Sequence, residues 1–392
     1  MNVYIASLAQ QLARAGVEVE IFTRAGGEDL PPTIRTADGA RVHHIQAGPA
    51  GLAKSGLPPH LCAFYLGLAA HPASQALDLL HAHYWMSGWV GRKASGRLGV
   101  PLIQSFHTLA RVKNSSLAPG EAPESALRIA AEDRVVATAD ALVAPTGEEA
   151  AILHDRYRAR PGRVHVVEPG VDLKIFSPGD RQAARRSLGG GRIVLFVGRL
   201  QPLKSPDIAV RALAAVDRLL GEHEPPARLV ICGGPSGDRA GESSPAGLRA
   251  LASSLGIADR VALLGARPQH ELAALYRAAD VVIMPSRSES FGLVALEAQA
   301  CGTPVVAAGV GGLRHVLAGG GGTLIAGHDP RDYAQALVEY LTDPVARQDA
   351  SAAGRKRALA HSWERTAAGM LGVYRRVLER RWPAASSVQR GA

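Results

Sequence analysis

Two glutamates eight positions apart, Glu289 and Glu297, are the residues of this sequence whose spacing best suits chemistry. Glu289 lies in a loop after an apolar strand pattern, and Glu297 lies one turn inside the helix predicted to begin near Leu293. Unpaired N–H groups at such a helix start attract phosphate, whereas carboxylates accept hydrogen bonds from hydroxyls. The arrangement predicts a site for a ligand with both a diphosphate and sugar hydroxyls. A helix-end charge and a solvated side chain are the alternative interpretation.

Cations follow other strand patterns of the same half of the chain. The strand pattern at residues 193–197 leads into a loop with Arg199 and Lys204. Two cations at the carboxyl end of a parallel strand can neutralise a diphosphate, although incidental surface cations are the alternative. Arg267 follows a further strand pattern and is predicted to reach the nucleotide or its phosphates. The glycine-rich run at residues 309–312 is predicted to let the backbone approach the ligand.

The elements that position these residues alternate between strand and helix patterns. This alternation predicts an α/β fold, with one mainly parallel sheet in the first half and a second α/β domain after it. Strands are predicted in the first half at residues 17–22, 42–45, 79–83, 102–106, 141–144 and 164–167, and in the second half at 193–197, 229–232, 261–264, 281–284 and 304–307. A length of 392 residues exceeds what one core serves, so we expect two domains facing each other across a cleft.

Glycine and proline between residues 169 and 178 mark the boundary between the domains. We therefore assign residues 1–170 to the first domain and residues 171–362 to the second. A helix at residues 363–383 is expected to pack back across both domains, and residues 384–392 are expected to be disordered.

Composition excludes several classes of protein. The chain is 47% hydrophobic and 20% charged, without an apolar run long enough for a membrane span. Its three cysteines lie far apart, which predicts neither a disulfide framework nor a metal cluster and suits a reducing cytoplasm. The net charge of +9 comes from scattered arginines without interleaved aromatics, so it favours an anionic small substrate over nucleic acid.

The chain opens on a helical pattern at residues 2–15, before its first strand pattern. An α/β domain of this kind normally begins with a strand and a glycine-rich turn. We therefore expect an N-terminally truncated first domain without its first strand, with strand edges exposed and with activity or stability reduced. An error in the assigned translation start is the explanation we favour.

The second half resembles the donor domain of the family 4 retaining glycosyltransferases, which have two facing Rossmann-like domains (the GT-B fold). The resemblance rests on Gly198-Arg199 with Lys204, on Pro285-Ser286, and on the pair Glu289 and Glu297. It implies that Arg199 and Lys204 hold the diphosphate, Glu289 contacts the sugar and Glu297 binds the ribose. Arg267, Gly292 and Leu293 complete the implied site for UDP.

The first half then supplies the acceptor site. Polar loops follow strands at residues 83–88 and 107–114, and Lys54, Tyr84, Thr108 and Arg128 would together make a phosphate pocket with two cations and two hydroxyls. Individually, each has a plainer interpretation: Lys54 and Arg128 as surface charges, Tyr84 as a packed aromatic residue and Thr108 as a loop cap.

With residues 2–4, 18–24, 61–64 and 233–237, these loops resemble one subfamily from Asn2 to about Arg375. The resemblance implies transfer of N-acetylglucosamine from UDP-N-acetylglucosamine to 1D-myo-inositol 3-phosphate by a homodimer. That transfer is the first step of mycothiol biosynthesis in actinobacteria. Asn2, Lys54, Tyr84, Thr108 and Arg128 would bind the acceptor, and His107 would line the sugar pocket.

No cofactor is expected for the chemistry. The resemblance implies a structural magnesium ion at positions matching Tyr276, Arg277, Ala279 and Thr303, held mainly by carbonyl oxygens. A family 4 transferase with another acceptor, either sucrose-phosphate-type or lipid-linked, is an alternative to the function above. A non-catalytic remnant that still binds sugar nucleotides is another.

Overall fold

The computed structural model describes residues 1–27, 29–118, 121–186, 188–221, 224–235 and 241–381. The chain divides into two compact units, each built of helices and strands. Unit 1 comprises Met1–Arg111, Glu124–Glu168 and Trp363–Ala392, and unit 2 comprises Val112–Pro123 and Pro169–Ser362. The tail predicted to be disordered, residues 384–392, lies outside the described residues. Within the described ranges, no helix is both apolar enough and long enough to cross a membrane.

Helices and strands follow one another through the described residues. The first part forms α1 (Asn2–Arg14), β1 (Glu20–Arg24), β2 (Thr33–Arg35), β3 (Arg41–Ile45), α2 (Leu61–Ala70), β4 (Leu80–His83), α3 (Trp85–Leu98), β5 (Leu102–Ser105), α4 (Ala110–Asn114), α5 (Ala126–Thr138), β6 (Ala141–Ala144), α6 (Gly147–Tyr157) and β7 (Val164–Val166). The second part forms α7 (Arg181–Arg186), β8 (Arg192–Val197), α8 (Pro206–Leu220), β9 (Ala227–Cys232), α9 (Pro245–Ser254), β10 (Val261–Gly265), α10 (Gln269–Ala278), β11 (Val281–Met284), α11 (Leu293–Ala300), β12 (Val305–Ala308), α12 (Gly312–Leu317), β13 (Gly322–Ile325), α13 (Pro330–Thr342) and α14 (Pro344–Leu359). The last helix, α15 (Trp363–Arg381), belongs to unit 1 and contacts α1.

Unit 2 is built on one parallel sheet of six strands in the order β10-β9-β8-β11-β12-β13. Alternate residues of the central strand β8 enter two apolar clusters, Val194 and Phe196 in one and Ile193 and Leu195 in the other. Both faces of the sheet are therefore covered, which explains the continuous apolar runs of its strands. The strand order reverses between β8 and β11, and the loops after these strands border the crevice where such sheets bind ligands.

Unit 1 has two sheets where the sequence predicted one. One sheet is the parallel set β4-β5-β6-β7, and the other has the order β1-β3-β2, with β2 antiparallel to β3. Among the described residues, no strand joins β1 to β4. A cavity of about 980 Å³ is lined by residues of α1, β1 and β4.

Short-range backbone contacts explain where the predicted elements shift. The strand predicted from residue 17 begins at Glu20, because the Val17 N–H donates to the Leu12 carbonyl of α1 at 3.1 Å. Gly16 follows the helix end with a φ of 84°, a left-handed conformation that glycine adopts without strain. The sequence missed β2 because its three residues are all exposed. Helix α5 begins after Ser125, whose hydroxyl caps the helix by accepting from the Arg128 N–H at 3.2 Å.

Candidate active site

The loops after β8 and β11 carry two of the predicted donor-site charges of unit 2. Lys204 ends a single 3-10 turn after β8, and Glu289 lies between β11 and α11. Their side chains, each 19% exposed, form an ion pair between Lys204 Nζ and Glu289 Oε2. The structure therefore brings the predicted diphosphate cation and the predicted sugar carboxylate together where the strand order reverses.

The two predicted donor-site arginines follow the carboxyl ends of strands in the same sheet. Arg199 comes two residues after β8 ends and is exposed. Arg267 follows β10, which β9 separates from β8, and it pairs with the exposed Glu271 at 3.3 Å. Exposed ion pairs contribute little to stability, so Arg267 can exchange Glu271 for an anionic ligand at small cost.

Glu297 is buried in α11, so its interpretation as a solvated side chain is wrong. Its Oε2 accepts a hydrogen bond from the Tyr276 hydroxyl of α10 at 2.9 Å. Burial raises the pKa of the Glu297 carboxyl to about 7, and the Tyr276 hydrogen bond opposes that rise. A carboxylate held in this way retains an oxygen that can accept a hydrogen bond from a ligand hydroxyl.

The predicted phosphate-binding helix start and the glycine-rich run lie side by side. Helix α11 begins at Leu293, directly after Gly292, whose φ is 105°. The Gly312 N–H donates to the Glu289 carbonyl at 2.9 Å, and a Cβ added at Gly311 would lie 2.2 Å from that carbonyl oxygen. The close backbone approach made by the glycine-rich run is therefore to the Glu289 loop, whose position it supports.

Replacing Gly312 by alanine is expected to lower the free energy of unfolding by about 1–3 kcal/mol, because forced overpacking shifts backbone. The new Cβ would lie 2.2 Å from Phe291 Cα and 2.5 Å from the Phe291 carbonyl oxygen. Urea unfolding measures the change. Gly319→Ala is the matched control, since its Cβ would meet only an Arg357 side-chain carbon at 3.9 Å. Equal stability of the two variants would contradict this account.

The four predicted magnesium ligands lie around the carboxyl end of α10. Tyr276 and Arg277 belong to its last turn, and Ala279 follows it. The Thr303 hydroxyl donates to the Tyr276 carbonyl at 2.6 Å, and that carbonyl also accepts from the Ala279 N–H at 3.2 Å. Carbonyl oxygens at a helix end are partly negative and suit a hard cation. The set offers oxygens of the kind that magnesium accepts, but it contains no carboxylate, and the Tyr276 carbonyl already accepts two hydrogen bonds.

Unit 1 brings together the four residues of the predicted phosphate pocket. One terminal nitrogen of Arg128 (Nη2) donates to the Thr108 carbonyl at 2.9 Å and to the Thr108 hydroxyl at 3.0 Å. The Arg128 guanidinium lies 5.1 Å from the centroid of the Tyr84 ring, and Lys54 Nζ lies 4.5 Å from the same centroid. Two cations and two hydroxyl-bearing side chains therefore share one site.

Burial changes the interpretation of two of these residues. Arg128 is only 1% exposed, so its plainer interpretation as a surface charge is wrong. The Tyr84 hydroxyl is buried and has no hydrogen-bond partner in the described part of the chain, and burial is the main cause that raises its pKa. A buried hydroxyl without a partner is unfavourable unless a ligand or water supplies one. The pocket therefore has an unused hydroxyl beside its cations.

Sequence reasoning missed Glu132, which is fully buried on α5. Its carboxylate accepts from Arg128 Nε at 2.8 Å, from the Ala110 N–H at 2.9 Å and from the Tyr157 hydroxyl at 2.6 Å. The available signal was its spacing, because residues four apart on a helix lie on the same face. Glu132 thus connects the predicted phosphate pocket to the beginning of α4 and the end of α6.

His107 lies beside a second histidine that the sequence did not single out for chemistry. Its Nε2 lies 2.9 Å from His83 Nδ1, and its φ of 60° is in the left-handed region. Burial lowers the pKa of His83 to about 3, and burial with the adjacent His83 lowers the pKa of His107 well below its usual value. Both rings are therefore neutral near pH 7. Asn2, exposed at the beginning of α1, lines the cavity that β1 and β4 also line.

Comparison with known proteins finds matches to both units. The sequence profile of the "Glycosyl transferase 4-like domain" matches residues 1–170, and that of "Glycosyl transferases group 1" matches residues 180–357. The D-inositol 3-phosphate glycosyltransferase of Stackebrandtia nassauensis is 49% identical, over 97% of this chain and 87% of that protein. The protein of the same name from Acidothermus cellulolyticus is 51% identical, over 98% of this chain and 87% of that protein. The chain belongs to the D-inositol 3-phosphate glycosyltransferase family.

Solved structures confirm the predicted fold. Sucrose-phosphate synthase from Thermosynechococcus elongatus superposes with a TM-score of 0.88 at 31% identity, covering 97% of this chain and 94% of that one. The Anabaena protein HepE, solved with UDP and glucose, has a TM-score of 0.75 at 19% identity, covering 94% of this chain and 95% of its own. This member of the family is therefore a hexosyltransferase with the GT-B fold of family 4 and two Rossmann-like domains, as the sequence predicted.

Proposed function

We propose that the protein transfers N-acetylglucosamine from UDP-N-acetylglucosamine to 1D-myo-inositol 3-phosphate with retention at the anomeric carbon, the first step of mycothiol biosynthesis. The observation that carries the proposal is the pocket of unit 1, where Arg128, Thr108, Tyr84 and Lys54 lie together. A phosphate monoester suits two cations, and a polyol suits the hydroxyls beside them. The names of relatives at 49–51% identity support the same acceptor.

A sucrose-phosphate-type acceptor, one of the two other acceptor types that the sequence leaves open, has weaker support. The sucrose-phosphate synthase that superposes well is 31% identical to this chain, against 51% for the relative from Acidothermus. Acceptor choice depends on a few side chains in a site grafted onto a shared fold, so superposition alone does not decide it.

In the proposed reaction unit 2 holds the donor and unit 1 holds the acceptor. The acceptor hydroxyl attacks the anomeric carbon from the face that UDP leaves, and the departing phosphate takes the hydroxyl proton. Arg199 and Lys204 stabilise the negative charge that develops on the diphosphate. Glu289 binds the sugar, Glu297 binds the ribose, and His107 lines the sugar pocket as a neutral ring. These roles need no carboxylate nucleophile.

Three further properties belong to this proposal. The chemistry needs no metal, and Mg²⁺ would have a structural role at the carbonyl oxygens around the end of α10. The protein forms a homodimer, which light scattering would test. It works in the cytoplasm, where its three free cysteines, one of them exposed, would stay reduced.

Replacing Lys54 by methionine is expected to raise the KM for inositol 3-phosphate about tenfold, because one charge-assisted contact to phosphate is lost. Lys54 is exposed, so folding should be unaffected. Initial rates of UDP release at varied acceptor concentration measure the change. The KM should not change with unphosphorylated inositol as acceptor, nor in the exposed-lysine control Lys93→Met.

Two outcomes would contradict the proposed function. The first is that the native protein releases no UDP with inositol 3-phosphate while another acceptor supports turnover. The second is that Lys54→Met raises the KM equally for the phosphorylated and the unphosphorylated acceptor. That result would mean that the pocket of Lys54 does not bind the acceptor phosphate.

A further inference from the structure

The carboxylate of Glu132 is the centre of a buried hydrogen-bond network in unit 1. Its side chain has no exposed surface, and its two oxygens receive hydrogen bonds from Arg128 Nε, the Ala110 N–H and the Tyr157 hydroxyl. An ionised carboxylate is an acceptor only, so all three donors suit it. A buried charge that is fully paired in this way is strongly destabilised when one partner is removed.

The three donors come from three different elements. Arg128 is on α5, Ala110 begins α4 directly after the Thr108 turn, and Tyr157 is the last residue of α6. Glu132 therefore determines where the Thr108 turn lies relative to the Arg128 guanidinium. Arg128 in turn donates from Nη2 to the carbonyl and the hydroxyl of Thr108.

These contacts orient the guanidinium. Its Nε is held by Glu132 and its Nη2 by Thr108, while the remaining terminal nitrogen, Nη1, lies 3.0 Å from Glu124. Glu124 and Glu132 are each four residues from Arg128, but the Glu124 side chain is 19% exposed and that of Glu132 is 0% exposed. The two glutamates therefore hold opposite ends of the guanidinium, one from the interior and one from the more exposed side.

We propose that Glu132 is a positioning residue for recognition of the acceptor phosphate: it fixes Arg128 and the Thr108 turn so that Nη1 and the Thr108 hydroxyl face the same phosphate. The inference rests on the proposed function, because it assigns Arg128 to the acceptor. Glu124 is the partner that the phosphate replaces at Nη1. Recognition of phosphate by arginine depends on the plane of the guanidinium as well as on its charge.

Glutamine is the sharpest replacement for Glu132, since it preserves shape and removes the charge. Its amide oxygen can accept from only some of the three donors, and its NH₂ group would face the others. Arg128 would then keep its charge and lose its fixed orientation. Glu124→Gln is the matched control, because it also removes an ion pair four residues from Arg128 but leaves the interior contacts of Glu132 in place.

The experiment compares the native protein, Glu132→Gln and Glu124→Gln. Calorimetry measures the Kd for inositol 3-phosphate, steady-state rates separate the acceptor KM from kcat, and the Kd for UDP reports on unit 2. We expect Glu132→Gln to weaken inositol 3-phosphate binding at least tenfold and to leave the Kd for UDP within twofold of native. Glu124→Gln should bind inositol 3-phosphate as tightly as the native protein or more tightly, because a competing carboxylate is gone.

A folded Glu132→Gln with native affinity for inositol 3-phosphate would overturn the proposal. An equal loss of affinity for inositol 3-phosphate and for UDP would also overturn it, because that result indicates a general structural defect. If Glu132→Gln does not fold, Tyr157→Phe removes one donor to the same carboxylate and should weaken acceptor binding about threefold. Unchanged binding in that variant would count against the role.

The native protein separates this inference from the proposed function. Binding of inositol 3-phosphate without UDP release would overturn the proposed reaction and leave the role of Glu132 standing. No binding of inositol 3-phosphate by the native protein would overturn both.

Discussion

Replacing Lys204 by alanine is expected to lower kcat by about 100-fold to 1000-fold, the loss typical when one group that stabilises transition-state charge is removed. In the free protein, Lys204 pairs with Glu289 at the point where the strand order reverses. In the proposed reaction its ammonium group turns to the diphosphate, where negative charge grows as the bond to the sugar breaks. Measurement of UDP release at saturating donor and acceptor tests the effect.

Folding should change little in the Lys204→Ala variant. The ion pair is partly exposed, so its loss should cost about 1 kcal/mol or less. Lys174→Ala is the matched control, since Lys174 is an exposed lysine of the same unit. A Lys204→Ala variant that folds and turns over at a near-native rate would remove Lys204 from the mechanism.

Replacing Glu297 by glutamine is expected to make the protein more stable at pH 8 and to weaken its binding of UDP. The pKa of the Glu297 carboxyl is about 7 in the folded protein, whereas the pKa of an unperturbed glutamate carboxyl is 4.5. The folded state therefore holds this proton more tightly than the unfolded state does. The resulting stability is fully present below about pH 4.5 and is lost as the pH rises to 7, with a maximum change of about 3 kcal/mol at 1.36 kcal/mol per pKa unit.

Glutamine carries no charge to bury, so it removes this loss while its amide oxygen can still accept from the Tyr276 hydroxyl. We expect the free energy of unfolding of Glu297→Gln to fall less than that of the native protein between pH 5 and pH 8. The Kd for UDP at pH 8 should rise about tenfold, because a neutral acceptor forms a weaker hydrogen bond with a ribose hydroxyl. Urea unfolding across the pH range and calorimetry with UDP provide the two measurements.

Glu339→Gln is the matched control, because it removes one carboxylate from the same unit at an exposed position on α13. If Glu297→Gln reproduces the native pH dependence, Glu297 is not the buried titrating group. If the variant Glu297→Gln also binds UDP with native affinity, Glu297 does not bind the ribose.

The elements of both units could be predicted from the sequence wherever their signals are local. The strand β11 has the bounds that its apolar pattern predicted, and the helix α15 begins at the predicted residue, Trp363. The division of the sheets in unit 1 was harder to predict, because strand pairing joins residues that local patterns do not connect. The antiparallel strand β2 has no buried residue and therefore no apolar pattern to reveal it.

The candidate site residues show the same difference between local signals and long-range contacts. Residue type and spacing indicated the donor charges Lys204 and Glu289 and the acceptor set with Arg128. The direct ion pair between Lys204 and Glu289 joins residues 85 positions apart, and the Arg128–Thr108 contact spans 20 positions. Such contacts depend on how strands and helices pack, which sequence spacing does not encode at this range.

By itself, the sequence determined the α/β class, the family and the chemical types of the candidate site residues in each half of the chain, because motifs and apolar periodicity are local properties of a chain. Only the tertiary structure decided which of those groups are buried. Burial makes Glu297 a carboxyl with a pKa of about 7 and makes Arg128 an interior cation held by Glu132. The physical reason is that desolvation and hydrogen-bond geometry depend on neighbours brought together by folding.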